Sequence, residues 1–215
     1  MKKPIIPILI ISLFILLTSC NNSLSDALKE NEARLVGFMD TYRAVKGYYN
    51  SYVLEKAEGE WDLSTYKDEK KVLEIVENTI YAKGDDFDKI TSAKGTFSNK
   101  TENTEDGTKH TLTFSGVEIK YTPKDSEEEK TLTIDGVLST CESDETTTTE
   151  STTTYDTNSL IYFKQNGVEY KSISSVVCTI NYRTAGVSYT FESAFYDGHK
   201  INCNILNKSN FLKND

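Results

Sequence analysis

The chain is poor in the residues that most often carry chemistry. Its 215 residues include two histidines, His110 and His199, and four cysteines, Cys20, Cys141, Cys178 and Cys203, with no C-x-x-C spacing. Zinc sites draw their ligands from such groups at short, regular separations, so no metal site is expected. There is no G-x-S-x-G elbow, phosphate-cradling glycine loop, H-E-x-x-H or calcium-loop pattern. A serine or cysteine triad would need a histidine beside a nucleophile and an orienting acid. Both histidines sit in hairpin context instead, His110 before the strand through Leu112 and His199 just past Asp197-Gly198. No catalytic residue is assigned, and we expect a non-enzyme. Positive charge is also short: 24 Lys and Arg stand against 33 Asp and Glu, a net charge of −9. Nucleic-acid phosphates demand clustered cations, and no basic stripe is present. Asp85-Asp86 and Glu127 to Glu129 read as solvated charge, with cation binding a remote alternative.

What is present begins at the amino terminus. Lys2 and Lys3 precede fourteen nearly all-apolar residues, 4–17 (PIIPILIISLFILL), followed by Thr18-Ser19-Cys20. A membrane-spanning helix needs roughly 20 apolar residues to cross about 30 Å of hydrocarbon; this run suits the apolar core of a signal peptide. Leu17-Thr18-Ser19-Cys20 resembles the bacterial lipobox, an aliphatic residue, a small or hydroxylated one, a small one, then cysteine. The resemblance covers about the first twenty residues. It implies cleavage between Ser19 and Cys20 by signal peptidase II, a diacylglyceryl group on the Cys20 thiol, and acylation of the new amino group in some members. One acyl chain, at roughly 0.8 kcal/mol per buried CH₂, binds a membrane marginally, whereas two hold it stably. Asn21 follows the modified cysteine where the inner-membrane retention rule prefers Asp, so the outer membrane is the default address. Losing Lys2 and Lys3 with the leader takes the remaining 196 residues to a charge of about −11. Such a domain is repelled by anionic headgroups, leaving the anchoring to the lipid. No cofactor beyond that lipid is expected.

The expected organisation is a signal peptide at 1–19, a lipidated polar tether at 20–26 and one domain at 27–215. Its length suffices for one substantial core, and 13 tyrosines among 11% aromatic residues argue against disorder. Helical spacing of Leu28, Leu35, Phe38, Tyr42, Val45, Tyr49 and Tyr52 predicts a helix over about 24–55, weakened by Gly37 and Gly47 at about 1 kcal/mol each. The stripe fits a coiled-coil partner or a ligand wall; a helix laid on the protein's own sheet is preferred. A second helix is expected over about 66–80, capped by Thr65 and Asp68, with Val72, Ile75, Val76 and Ile80 inward, although KVLEIV also suits a strand.

From about residue 87 the pattern alternates with period two, the mark of antiparallel sheet with one wet face. Turns are expected at Ser115-Gly116, Asp135-Gly136, Asn166-Gly167, Ala185-Gly186 and Asp197-Gly198, since paired positive φ values favour Asn-Gly and Asp-Gly. A turn at Ser115-Gly116 would pair Phe114 with Val117 and Leu112 with Ile119. One at Ala185-Gly186 would pair Tyr182 with Tyr189, Ile180 with Phe191 and Cys178 with Ser193. TLTFSGV (111–117) nearly recurs as TLTIDGV (131–137), either a short internal repeat or convergent hairpin phrasing. Residues 122–130 read as a charged loop, and the threonine-rich 143–158 as a solvated loop in preference to an edge strand. A strand over about 200–206 would set Cys203 opposite Ser193, about 10 Å from Cys178. That is too far for a disulfide, so any bridge should involve Cys141.

Together these features predict an α+β fold, an N-terminal helix or helix pair on a mostly antiparallel meander of about seven to nine strands. A β-barrel with an N-terminal helix is the alternative. The functional expectation is a lipid-anchored envelope protein that binds a protein or envelope component. The competing class is a carrier of a small apolar ligand, which would need a dry cavity lined by Tyr42, Tyr49, Phe191 or Phe195.

Overall fold

In the computed structural model, residues 6–53, 58–105, 107–142, 150–155, 161–183 and 186–208 are described. Helix α1 (Ile6–Val53) is followed by strand β1 (Gly59–Asp62), a 3-10 turn (Leu63–Thr65) and helix α2 (Lys70–Ala82). The rest is strand: β2 (Phe87–Thr104), β3 (Gly107–Pro123), β4 (Lys130–Glu142), β5 (Glu150–Tyr155) and β6 (Ile161–Gln165). Then come β7 (Val168–Tyr170), β8 (Ile173–Arg183), β9 (Gly186–Tyr196), β10 (His199–Lys200) and a short helix α3 (Cys203–Lys208). The fold is α+β, as expected.

Two compact units divide the chain, residues 1–36 and 37–215. In the first, α1 begins at Ile6, well before the expected residue 24, and runs through 20–26 where a tether was expected. The physical reason is the absence of breakers: Pro7 falls in the first turn, where proline is tolerated, and neither glycine nor proline occurs again before Gly37. Arg34 pairs with Glu30 one turn back, and Leu28, from the expected apolar stripe, is 61% exposed. Among the described residues, no helix is long and apolar enough to cross a membrane.

The second unit holds the sheet. Its order is β1-β2-β3-β4-β5-β8-β9-β10, with β6 pairing β4 and β7. The terminal strands β1 and β10 do not pair, so no barrel closes among the described residues. The tyrosine stripe of α1 lies on this sheet, the preferred reading. Phe38 and Tyr42 meet Phe191 of β9 at ring distances of 5.7 and 5.1 Å. Tyr48 meets Phe114 of β3 at 5.3 Å and Phe163 of β6 at 6.0 Å, and Tyr52 meets Phe97 of β2 at 4.5 Å. The 37–53 segment thus crosses the sheet from β9 to β2. Helix α2 buries Val72, Ile75, Val76 and Ile80, as expected. It starts at Lys70, after a 3-10 turn that Asp62 caps through the Ser64 amide at 2.9 Å. Thr65 and Asp68 do not cap it; Glu69 holds the N-cap position without a side-chain bond. Gly47 does more than weaken α1: a Cβ there would strike the Ala82 carbonyl oxygen, so the glycine lets α1 and the end of α2 touch.

Two expected turns form as read. Asn166-Gly167 (φ 49° and 80°) joins Gln165 to Val168, and Asp197-Gly198 (φ 51° and 75°) joins Tyr196 to His199. Two others do not. Ser115-Gly116 lies inside the long strand β3 as a bulge, its two residues facing Asp135 alone, and Asp135-Gly136 lies inside β4 in unbroken register with Lys164 and Phe163 of β6. The echoed phrases face each other antiparallel, with Leu112 opposite Leu138, Val117 opposite Ile134 and Ile119 opposite Leu132. The Gly116 amide donates to the Asp135 carboxylate at 2.9 Å. Gly95 of β2 joins this line: φ is +94°, +56° and +131° at Gly95, Gly116 and Gly136. A Cβ on Gly95 would collide with the Gly116 backbone. A bulge adds one unpaired residue and bends its strand; the β2–β3 ladder also shifts register between Phe87 and Lys89 and between Ile90 and Ser92.

Three further expectations are corrected. The hairpin of β8 and β9 pairs Ile180 with Tyr189 and Cys178 with Phe191, two residues from the expected register. Parity is kept, so the same side chains face inward. Arg183 pairs with Gly186, and Ala185 of the expected Ala185-Gly186 turn lies outside the described residues. The threonine-rich segment supplies an interior strand: β5 lies between β4 and β8, in keeping with the β-branched preference of threonine. Residues 143–149 and 156–158 of the expected loop lie outside the described residues. The expected 200–206 strand stops at Lys200. Asn202 accepts from the amides of Asn204 and Ile205 at 3.1 and 3.4 Å and starts α3. Ile201 is buried and Ile205 53% exposed. The charged 122–130 segment connects β3 to β4, with 124–129 outside both strands.

Candidate functional site

The sequence-assigned residues are not brought together. Leu17, Thr18, Ser19 and Cys20 fall within the backbone of α1, and their side chains lie outside the described residues. The Cys141 side chain does too, and with it the question of its bridge. Cys178 and Cys203 are free thiols, one buried and one half-buried. Burial pushes the Cys178 thiol up to about 11, only partly offset by a hydrogen bond with Tyr42. A thiol so held is a poor nucleophile. His110 is buried on β3, with its Nδ1 3.3 Å from the Thr101 hydroxyl and its ring edge-on to Tyr49 at 5.9 Å. His199 is exposed in β10. Of the four rings expected to line an apolar cavity, Tyr42, Tyr49 and Phe191 are buried in the core and Phe195 is half-buried on β9.

Asp85 departs from the expected solvated charge. It is half-buried and accepts from the Lys83 ammonium at 2.5 Å and from the Tyr121 hydroxyl. Burial pushes its carboxyl up, but these two hydrogen bonds and the Lys83 charge outweigh it and hold the carboxyl below its ordinary value. Tyr121 is raised by burial, then by Asp85. Glu127, Glu128 and Glu129 are exposed. Among the described residues, no group of three or more His, Cys, Asp or Glu is placed to hold a metal ion.

The concavity that gathers most chemistry was not anticipated. Strand β4 serves two neighbours on one side: Ile134–Leu138 pair with β6, whereas Cys141 and Glu142 pair with β5. The sheet forks there, one arm continuing into β7 and the other through β5 into β8 and β9. A cleft of about 500 Å³ is bounded by α1, the end of α2, the β6–β7 arm and Tyr196 of β9. Asp40 and Arg43 come from α1, Gln165, Glu169 and Tyr170 from the β6–β7 arm. Two other openings are more local, one around Cys203 and residues 200–204 and one beside the β3 bulge.

The cleft walls are braced. Tyr170 stacks on the buried Phe163 with ring centroids 4.5 Å apart and planes 3° from parallel. Tyr48 donates to the Gln165 side-chain oxygen at 2.8 Å, which fixes the amide plane. Gly37 makes room for the Tyr196 hydroxyl, which a Cβ would displace. Lys171 and Asp197 close an ion pair at 2.6 Å between the β7–β8 link and the β9–β10 turn. The Tyr170 phenol is raised by burial, then by the charge of Asp40. Tyr196 is likewise raised first by burial, with Asp40 again contributing and Thr41 in hydrogen-bond contact. Asp40, Tyr170 and Tyr196 all line the cleft.

One sequence signal pointed here. Gly37, Thr41 and Ala44, at spacings of four and three, form a lane of small side chains beside the aromatic stripe of α1. The partners across the lane come from strands more than 100 residues away, which helical periodicity does not reveal. Compared with known protein families, with curated proteins and with solved structures, the chain matches none.

Proposed function

We propose that this protein is a lipid-tethered binding module of the bacterial cell envelope. The Leu17-Thr18-Ser19-Cys20 sequence after a basic-then-apolar leader supports the tether, with the lipid on Cys20 and the outer membrane favoured by Asn21. The observation that carries the binding role is the cleft: four elements converge on a solid aromatic core to build a charged, outward-facing concavity. Ligand sites concentrate in such concavities, where a few polar groups fix orientation. A non-enzymatic role is supported by the sealed Cys178 thiol and by the separation of His110, in the core, from His199, at a turn. The carrier reading draws less support, because Tyr42 and Phe191 pack ring against ring where its cavity would have to be.

The test is detergent extraction of the protein from bacterial membranes, followed by intact mass measurement. The expected product begins at Cys20 and carries at least a diacylglyceryl mass; Cys20→Ser keeps its leader and loses that mass. An unmodified Cys20, or a serine variant still cut before residue 20, overturns the tether. Co-extraction of a bound fatty acyl ligand in stoichiometric amount would favour the carrier instead.

A further inference from the structure

We propose that the cleft between α1 and the β6–β7 arm is a carbohydrate site, taking one or two neutral sugar rings with Tyr170 as the stacking platform. The inference rests on reading the domain as a binding module and names its ligand class.

The lining decides the class by elimination. Asp40 and Glu169 bring negative charge and Arg43 brings positive charge to the same cleft, while Lys83 arrives already paired with Asp85. A free anion would meet the two carboxylates, and a free cation the Arg43 guanidinium. An apolar ligand would strip water from charged groups without replacing their hydrogen bonds, a costly exchange. A neutral molecule dense in hydroxyls avoids all three penalties, because each hydroxyl both donates and accepts. Carboxylate, guanidinium and amide are planar groups that can engage two neighbouring hydroxyls at once, and Asp40, Glu169, Arg43 and Gln165 supply all three kinds.

The second requirement is a flat, rigid apolar surface for the C–H face of a sugar ring. Tyr170 meets it. Phe163 backs one face of its ring in a nearly parallel stack, and the half-buried Tyr170 lines the cleft. Burial of Phe163 beneath it restrains the platform, so little ordering cost remains at binding. At about 500 Å³ the cleft lies within the usual span for small-molecule sites.

The test uses the full mature lipoprotein in a detergent without a sugar headgroup. Saturation-transfer difference NMR is recorded with cellobiose, maltose and N,N′-diacetylchitobiose, and with glycylglycine as a zwitterion of similar size. The expected result is transfer to the ring C–H protons of at least one disaccharide, reduced at least fivefold in Asp40→Ala and in Tyr170→Ala. Asp40 is exposed on a helix, where alanine is well tolerated, so its effect cannot be attributed to unfolding. No transfer to any disaccharide, transfer to glycylglycine alone, or equal transfer in wild type and Asp40→Ala would overturn the assignment. Detergent-phase partitioning of the same samples reports separately on the tether, so silence from the sugars with partitioning intact removes the carbohydrate and leaves the anchor standing.

Discussion

The side-chain amide of Asn207 completes the backbone pairing of Phe191. Its Oδ1 accepts from the Phe191 amide at 2.8 Å, and its Nδ2 donates to the Phe191 carbonyl at 2.9 Å. Strand β10 covers β9 only at Tyr196 and Phe195. Beyond it, the Ile201 amide bonds the Ala194 carbonyl at 2.8 Å, and then Asn207 takes over. A helix thus covers what would be an open strand edge, a known aggregation liability.

We predict that Asn207→Leu loses about 1–3 kcal/mol of stability, because both Phe191 backbone groups lose their partner. Hydrogen exchange should quicken at the Phe191 amide and through α3. Asn207→Asp keeps the acceptor and loses only the donor, so exchange at the Phe191 amide should change less. Equal protection in wild type and Asn207→Leu would refute the edge-covering role.

Gly47→Ala tests helix propensity against packing. Propensity alone makes alanine better by about 1 kcal/mol in a helix interior. The added Cβ meets the Ala82 carbonyl oxygen, and forced overpacking costs about 1–3 kcal/mol. The expected outcome is net destabilisation, read as a lower denaturation midpoint; a rise would show that α1 and α2 separate freely.

Two residues of one sequence stripe should behave differently. Tyr42 is 1% exposed and contacts Phe38 and Phe191, so Tyr42→Ala should cost about 3–5 kcal/mol by analogy with other buried aromatics. Leu28 is 61% exposed, and Leu28→Ala should stay within about 0.5 kcal/mol of wild type. Urea unfolding of both variants measures the contrast.

Asp85 supplies an acid-sensitive contribution. Its folded carboxyl sits below the ordinary 3.8, so its stabilisation is complete above that value and is lost as the pH falls through the lowered folded value. Asp85→Asn should therefore destabilise the protein at neutral pH and flatten the acid limb of the stability curve below about pH 4. Denaturant midpoints measured across that limb give the comparison; parallel curves for wild type and variant would contradict it.

Much of the architecture was readable because burial imposes periodicity. Phe38, Tyr42, Val45, Tyr49 and Tyr52 announced their face of α1, and Asn166-Gly167 and Asp197-Gly198 announced their turns. Misreadings arose where one local signal serves two structures. Ser115-Gly116 re-phases the apolar pattern, so that Phe114 and Val117 both point inward. A hairpin and a bulge each do this, and each recruits a glycine with positive φ. Only the partner strands decide, and they lie outside any local window. The same holds for the threonines of β5, whose neighbours β4 and β8 make them interior. The cleft was illegible for a stronger reason: Asp40 and Glu169 share a wall only because β4 divides its pairing between two arms.

That division has a consequence for how the molecule can change. The β6–β7 arm hangs on β4 through five paired residues and carries one wall of the cleft, while β5, β8 and β9 take their register from a different stretch of the same strand. Lengthening, trimming or recharging residues 164–170 would alter what the opening admits without re-indexing the remaining ladders. One wall of the opening thus stands on an arm whose pairing is independent of the other ladders, a separable jaw on a shared frame.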